Sequence, residues 1–482
     1  MSAFSELLTN YVAKSGLTKN GLIEACQVNR STFFQCLNGK RLPKESFFEH
    51  LLRTLQLSPG EESKLRKLYH IAQIGESVYQ NRQCAKKCLE TLAALSGNLI
   101  PQIYRLDGVA QLTANWASLE GDNRVFQELC HLVQAEMFLP EPKIDLFVPQ
   151  EDSRFIEYLK VLYRNSGEKN VRLRQLVQFP QGRGKKTRES MEFFDSILFF
   201  LASDCMGYEA HYYYSEVDFA DTVGVLYPYS VITSTGVLLM NEAMDRALFS
   251  AAPAILETCR TQFEDVLCKT KQFHTPFKGY QQTVDFTLEN WEGTTMGYQY
   301  FATPCFSAYL TRELVDKYCP AGMEERFDHY FQSIMAGVFY VSFCSEAGLM
   351  DFARNGLMNE FPERLVPPLE LEDRKTVLET MLYRPPENSR LYLMDPEKTT
   401  VSDEFVFSLA KGKRIMTYRK RLPKLRMFCF QEQNLMDAFE DFFESLPESS
   451  YVLPRSEVER VLRQAIRCCE EQMTFDLSNQ IG

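Results

Sequence analysis

At 482 residues the chain is longer than one hydrophobic core usually organises, so its length predicts two or three domains. Apolar residues at 45% and aromatic residues at 13% exclude a chain that is disordered over most of its length. The net charge of −11 excludes a protein coated with nucleic acid over its whole surface, because phosphate binding depends mostly on positive charge.

The charge is divided unevenly along the chain. Residues 1–70 contain ten Lys or Arg, six Glu and no Asp, a net charge of +4. The other 412 residues carry 43 basic against 58 acidic side chains, a net charge of −15. Only the N-terminal end therefore suits an anionic partner.

The N-terminal residues have no basic start and no continuous apolar run, so we expect no signal peptide. The apolar stretches 193–205 and 333–344 are shorter than the roughly 18 residues that span a bilayer, which predicts buried core rather than a membrane partner. Fourteen cysteines in a chain without an export signal predict reduced thiols. We therefore expect a cytoplasmic protein.

Residues 1–70 have the periodicity and capping signals of five short helices. The first carries one apolar stripe, and Thr18 and Asn29 are suited to cap the second and third helices. The second helix ends near Gln27 and turns Leu22 and either Ile23 or Cys26 inward. The third runs from Arg30 to Leu37, with Phe33, Cys36 and Leu37 inward and Asn38-Gly39 as its left-handed stop. The fourth stripe is followed by the capping-box spacing of residues 58–61.

Residues 18–43, TKNGLIEACQVNRSTFFQCLNGKRLP, resemble the Cro and lambda-repressor type of helix-turn-helix, the XRE family. The register runs without a gap through the turn at residues 27–29 to Asn38-Gly39. Gln27 stands where the family usually has Gly at positive φ, so we expect either a looser or differently angled turn or strain from a residue other than glycine at positive φ. Lys19 stands where Gln is usual, and the bulky Ile23 where a small residue is usual.

The resemblance implies that the third helix enters the major groove of double-stranded DNA. The outward residues Arg30, Ser31, Phe34 and Gln35, with Thr32 at the margin, would then face base edges. Arg suits guanine, Gln suits adenine, and Phe34 suits a thymine methyl group. The cations Lys19, Lys40 and Arg41 would contact phosphates. The alternative is a helical cap that docks on the rest of the chain, or a former DNA-binding module now used for protein contacts.

Beyond this region we expect a helical connector in residues 71–105 and a large α/β or α+β domain in residues 106–482. The predicted strands in this domain are 143–149, 171–179, 208–214, 229–234, 390–395, 414–419 and 425–430, which alternate with amphipathic stretches. The large domain can divide into lobes at 106–275 and 276–482. The segment 353–375 is predicted to be an ordered loop between helices.

Few residues of the large domain indicate chemistry. The segment 179–190 follows a strand and precedes a helix but lacks the Walker pattern. It leaves a candidate anion-binding loop of Arg183, Lys185, Lys186 and Arg188, for which a solvated loop is the alternative. Cys84 and Cys88 share a helical face without the further ligands of a metal site. We expect no metal, no cofactor and no catalytic residues.

The fold expected is thus mixed, with an all-α five-helix DNA-binding domain before a large α/β or α+β domain. The function predicted is a sequence-specific DNA-binding transcriptional regulator whose C-terminal region senses a small-molecule or protein effector or mediates oligomerisation. A homodimer is implied by the inverted half-sites that the family generally binds. The alternatives are an enzyme or defence effector whose α/β region does the chemistry, and an interaction scaffold with a vestigial helix-turn-helix.

Overall fold

The structure is a computed structural model that describes residues 2–95, 115–148, 153–165, 171–180, 186–202, 207–215, 226–278, 280–289, 291, 293–358, 360–361, 365–419 and 426–481. The chain forms two compact units, Met1–Gln83 and Cys84–Gly482. Within the described ranges, no helix is both long and apolar enough to cross a membrane.

The N-terminal unit is helical. Its elements are α1 (Ala3–Lys14), α2 (Lys19–Ala25), α3 (Arg30–Leu37), α4 (Glu45–Leu55), α5 (Pro59–Ile74) and the start of α6 (Glu76–Ala94). The predicted caps are confirmed, because the side chain of Thr18 accepts a hydrogen bond from the amide of Gly21 and that of Asn29 from the amide of Thr32. The capping box of Ser58 and Glu61 is also present.

One apolar core holds these helices together. It contains the inward residues of every predicted stripe, including Phe4, Leu22 and Phe33, each at most 2% exposed. Cys26 is buried at 4% exposure while Ile23 packs at the margin, so Cys26 is the inward residue that the sequence left open. Tyr69 on α5 donates a hydrogen bond to the carbonyl of Pro43 at 2.8 Å, which fixes the loop between α3 and α4.

The large unit contains two mixed sheets with helices between their strands. The first part has α7 (Asp122–Met137), α8 (Ser153–Asn165), α9 (Lys186–Ala202), α10 (Pro253–Leu267) and strands β1 (Trp116–Glu120), β2 (Lys143–Phe147), β3 (Arg172–Pro180), β4 (Tyr208–Ser215), β5 (Tyr229–Ile232), β6 (Val237–Met240), β7 (Arg246–Ser250) and β8 (Lys271–Gln272). The strand order is β1-β7-β6-β5-β2-β3-β4-β8. Strands β2, β3 and β4 are parallel, and the other neighbours are antiparallel.

The second part has α11 (Tyr280–Glu289), α12 (Arg312–Tyr318), α13 (Glu324–Gln332), α14 (Glu346–Asn355), α15 (Leu371–Tyr383), α16 (Gln433–Ser445), α17 (Arg455–Ile481) and strands β9 (His274–Lys278), β10 (Met296–Tyr300), β11 (Phe339–Cys344), β12 (Ser389–Leu393), β13 (Phe405–Ala410), β14 (Arg414–Arg419) and β15 (Arg426–Phe430). The strand order is β12-β11-β10-β13-β14-β15-β9. Strands β10, β11 and β12 are parallel, and the rest are antiparallel.

The two sheets repeat one topology. If the first seven strands of each part are numbered from one, both sheets read 1-7-6-5-2-3-4. The directions also agree, since strands 2, 3 and 4 are parallel in each sheet and strand 1 is antiparallel to strand 7. The large unit is therefore built from two copies of the same arrangement, with β8 added at the edge of the first.

The segment 271–278 joins the two sheets. Its β8 part pairs with β4, and its β9 part pairs with β15. Between them Phe273 is 1% exposed, with its ring 6.0 Å from Phe179 of the first sheet and 5.9 Å from Phe430 of the second. One apolar cluster accordingly includes residues of both sheets.

The mixed α/β character predicted for the large unit is confirmed. All seven predicted strands are present, with ends that differ by up to two residues. Eight further strands, β1, β6 to β11 and β13, were not predicted as strands. The segment 353–375 is helical at both ends, because α14 extends to Asn355 and α15 begins at Leu371.

Candidate nucleic-acid interface

The corner between α2 and α3 has the backbone that the sequence predicts. Gln27 adopts φ +51°, in the left-handed region that favours glycine. The amide of Gln27 donates to the carbonyl of Glu24 at 3.1 Å, and that of Val28 to the carbonyl of Ile23 at 3.2 Å. These two bonds end α2 and allow α3 to begin after only four residues.

The residues predicted to contact DNA lie on and beside α3. We call them the recognition surface: Lys19, Arg30, Ser31, Thr32, Phe34, Gln35, Lys40 and Arg41. Six of them are exposed, whereas Thr32 and Phe34 are half-buried. Arg30, Ser31 and Thr32 form the first turn of α3, which is the part of a recognition helix that reaches base edges.

The four cations of the recognition surface, at positions 19, 30, 40 and 41, form no ion pair with any residue that the structure describes. Arg66 on α5 is different, because it pairs with Glu49 and, at 2.8 Å, with Glu62. The hydrogen bond from Arg66 lowers the pKa of Glu49. The cations beside α3 thus have no carboxylate partner among the described residues, whereas the charge of Arg66 is neutralised.

Backbone contacts fix the two ends of α3. At its start, the side chain of Asn29 accepts a 2.7 Å hydrogen bond from the amide of Thr32. At its end, the carbonyl of Gln35 accepts from the amides of Lys40 at 2.9 Å and Arg41 at 3.3 Å. These bonds hold the two C-terminal cations of the recognition surface close to the last turn of α3.

Two features of this region were not predicted from the sequence. The Phe34 ring contacts two cations, with its centroid 5.6 Å from Lys19 Nζ and 5.7 Å from Arg30 Cζ. Lys44, the exposed residue before α4, also lacks an ion-pair partner within the described ranges. Its signal in the sequence is the basic run GKRLPK at residues 39–44, in which only Lys40 and Arg41 were selected.

The candidate anion-binding loop of the large unit lies mostly outside the described residues. Arg183 and Lys185 fall there, and α9 begins at Lys186. Arg188 lies on α9 rather than in a loop, because the helix starts two residues earlier, and its Nε donates to Glu192 at 2.8 Å. The anion-binding loop therefore stays a prediction, since most of it lies outside the described residues.

The cysteines of the described residues are free thiols. On α6, Cys88 is buried and its Sγ donates to the carbonyl of Met191 at 3.6 Å, whereas Cys84 is half-buried. Burial raises the pKa of both thiols, which keeps them protonated at neutral pH.

Comparison with known proteins identifies the N-terminal unit. The family profile described as "Helix-turn-helix domain" matches residues 3–65, which include α1 to α4 and the first part of α5. Residues 3–65 form a helix-turn-helix domain. A helix-turn-helix domain supports DNA binding, and α3 is the second helix of its corner.

The remaining comparisons carry no argument about this chain. TrmBL2, an archaeal chromatin protein, is 10% identical with a TM-score of 0.24, over 56% of this chain and 94% of its own. Phosphatidylserine synthase from Haemophilus influenzae Rd KW20 is 11% identical with a TM-score of 0.23, over 82% of this chain and 99% of its own. No curated protein matches the sequence.

Proposed function

We propose that the chain is a sequence-specific DNA-binding transcriptional regulator of the XRE type. The observation that carries the proposal is the recognition surface, where exposed hydrogen-bonding side chains occupy the first turn of α3 and unpaired cations flank it. Such a surface suits the major groove, because bases are read by hydrogen bonds while phosphates attract positive charge.

Each residue type has a role in this proposal. Arg30 contacts guanine and Gln35 contacts adenine, since both side chains can make paired hydrogen bonds to those bases. The hydroxyl groups of Ser31 and Thr32 add less selective contacts. Lys19, Lys40 and Arg41 contact phosphates and fix the position of the domain without reading sequence.

The proposal extends to assembly. Helix-turn-helix proteins of this type bind two half-sites related by a two-fold axis, so we propose a homodimer on its operator. The large unit, with its net negative charge, is proposed to set the spacing or orientation of the two basic domains and to respond to a small-molecule or protein effector. It would stay away from the duplex, which repels it.

The test is selection of bound duplexes from a random pool by the full chain, followed by titration of the selected sequence against salt. With three or four phosphate contacts for each of two domains, log affinity should fall against log salt with a slope of about −5 to −7. A chain that retains no duplex, or that binds every duplex equally, would contradict the proposal.

Substitutions then separate base contacts from phosphate contacts. Arg30→Ala and Gln35→Ala should each relax preference at one base pair by about 1–3 kcal/mol, whereas Lys40→Ala should weaken all sequences alike. Lys67→Ala, which removes an exposed cation of α5, is the matched control and should change neither. Retention of full selectivity by both Arg30→Ala and Gln35→Ala would show that these side chains do not read the operator.

A further inference from the structure

Phe34 occupies a distinctive position in the recognition surface. Its ring is half-buried and lies edge-on to Phe33 of the core, with centroids 5.8 Å apart and ring planes at 89°. Lys19 Nζ and Arg30 Cζ both lie within 6 Å of its centroid. Lys19 is the first residue of α2 and Arg30 the first of α3, so a single ring contacts the starting residues of both helices.

The contacts have a defined physical effect. The face of an aromatic ring attracts a cation within about 6 Å of its centroid, and the attraction is stronger where the pair is shielded from water. Lys19 and Arg30 are both exposed and have no carboxylate partner among the described residues, so contact with the ring is what limits their rotamers. A ring anchored against Phe33 restricts both side chains before any ligand arrives.

We propose that Phe34 is a positioning residue for DNA recognition, which holds Arg30 toward a base edge and Lys19 toward a phosphate. This inference rests on the proposed function. It replaces the thymine-methyl contact expected for Phe34 with an indirect role, in which the ring acts through its two cations. Preorganisation of this kind raises affinity because less side-chain freedom is lost on binding.

The inference makes a positional prediction that a direct contact would not make. If Phe34 acts through Arg30, Phe34→Leu should reduce discrimination at the same base pair as Arg30→Ala. If Phe34 instead contacts a thymine methyl group, Phe34→Leu should reduce discrimination at a different, A·T base pair. Binding selection with each full-length variant measures this directly.

A double-mutant cycle gives the second readout. On the selected duplex, Phe34→Leu should lower affinity about tenfold in the wild-type chain but less than threefold in the Arg30→Ala chain, since only Lys19 is then left for the ring to position. In the double variant of Phe34→Leu and Lys40→Ala, the two losses of affinity should multiply, because Lys40 does not contact the ring. Phe34→Tyr keeps the ring and should bind within about twofold of wild type.

Folding is checked by melting temperature, and Phe34→Met, which has a similar volume to Leu but a more adaptable side chain, replaces Phe34→Leu if that variant unfolds. Wild-type selectivity with full affinity in the Leu or Met variant would overturn this inference and leave the proposed function intact. The inference would also be overturned if the affinity losses of Phe34→Leu and Arg30→Ala multiplied in full in the double variant. A wild-type chain that selects no duplex would instead refute the proposed function itself.

Discussion

Gly39 ends α3 immediately before the cations at positions 40 and 41, and its substitution by alanine should loosen this end of the recognition helix. Its φ is +69°, where an L side chain is strained. A Cβ built on Gly39 would lie 2.7 Å from Ser5 Oγ, and Ser5 is fully buried. Gly16 has the same φ of +69° but no atom within 4 Å of its Cβ position, so Gly16→Ala is a matched control for strain alone.

The two substitutions should differ in their effect on stability, because only Gly39→Ala brings a new Cβ against the Ser5 side chain. Left-handed backbone costs an alanine roughly 1–2 kcal/mol, and lower entropy of the unfolded chain returns about 0.4–1 kcal/mol, so Gly16→Ala should destabilise by about 1 kcal/mol or less. In Gly39→Ala, Ser5 must also move, which breaks its 2.9 Å hydrogen bond to the carbonyl of Ser2 and overpacks the site. Those effects add about 1–3 kcal/mol, for a total of about 2–4 kcal/mol.

Amide hydrogen exchange of the full chain, resolved by peptide, measures the result in α1 and α3. Because each 1.4 kcal/mol is tenfold, protection should fall by about 30-fold or more in Gly39→Ala and by no more than about fivefold in Gly16→Ala. Equal losses of protection in the two variants would mean that the close approach of Ser5 to Gly39 adds nothing to the cost of Gly39→Ala. Peptides of the large unit should not change in either variant.

Three further predictions concern the large unit. Arg174→Met should destabilise by about 3–5 kcal/mol in denaturant unfolding, because it leaves Asp145 partly buried and unpaired. Arg172→Met, on the same face of the strand but with a side chain that is 48% exposed, should cost under about 1 kcal/mol. Burial lowers the pKa of His274 from 6.5 to about 4. The unfolded chain therefore binds the extra proton between these values, and stability should fall by about 3 kcal/mol as pH is lowered from 6.5 to 4, a loss that acid titration of His274→Phe should not show. Phe273→Ala should cost about 3–5 kcal/mol of stability and raise hydrogen exchange in both sheets. The same change at a fully buried phenylalanine within the second part should raise hydrogen exchange in the second sheet only.

The helices of the N-terminal unit could be predicted because their signals are local. Caps, stops and apolar stripes act over three or four residues, and Thr18, Asn29 and Gly39 all have the predicted roles. The sequence could not show whether Ile23 or Cys26 is the inward residue, since both lie near the inward side of α2. Which of them is buried depends on how α4 packs against this side. Cys26 Sγ lies 4.0 Å from Thr54 Oγ1 of that helix.

The strands of the large unit were predicted less completely, for a different reason. Strands such as β13, buried at all six positions, read as continuous apolar runs without the alternation that marks a half-exposed strand. The edge strand β1 pairs with β7, more than 120 residues away, so nothing near it in the sequence shows its partner. Strand order is set by such distant pairs and cannot be predicted from local patterns.

The recognition surface shows the same division. The sequence predicts which residues of α3 are exposed and where the helix ends, because both depend on one helix and its caps. The contact between Lys19 and Phe34 depends on how closely the start of α2 approaches α3, and that approach is fixed by packing of both helices on the core. The proposed role of Phe34 therefore depends on contacts that only the three-dimensional structure shows.

The repeated topology also explains why the two sheets share a core. In the order 1-7-6-5-2-3-4, the first and fourth strands lie at opposite edges of a sheet. Strand β8 extends the first sheet beyond its fourth strand, and the chain continues after Phe273 into β9, the first strand and therefore an edge of the second sheet. One extended segment can thus serve both edges, and a large aromatic residue at its midpoint fills the space that neither sheet could close alone. If the fourth strand lay inside its sheet, β8 could not pair with it.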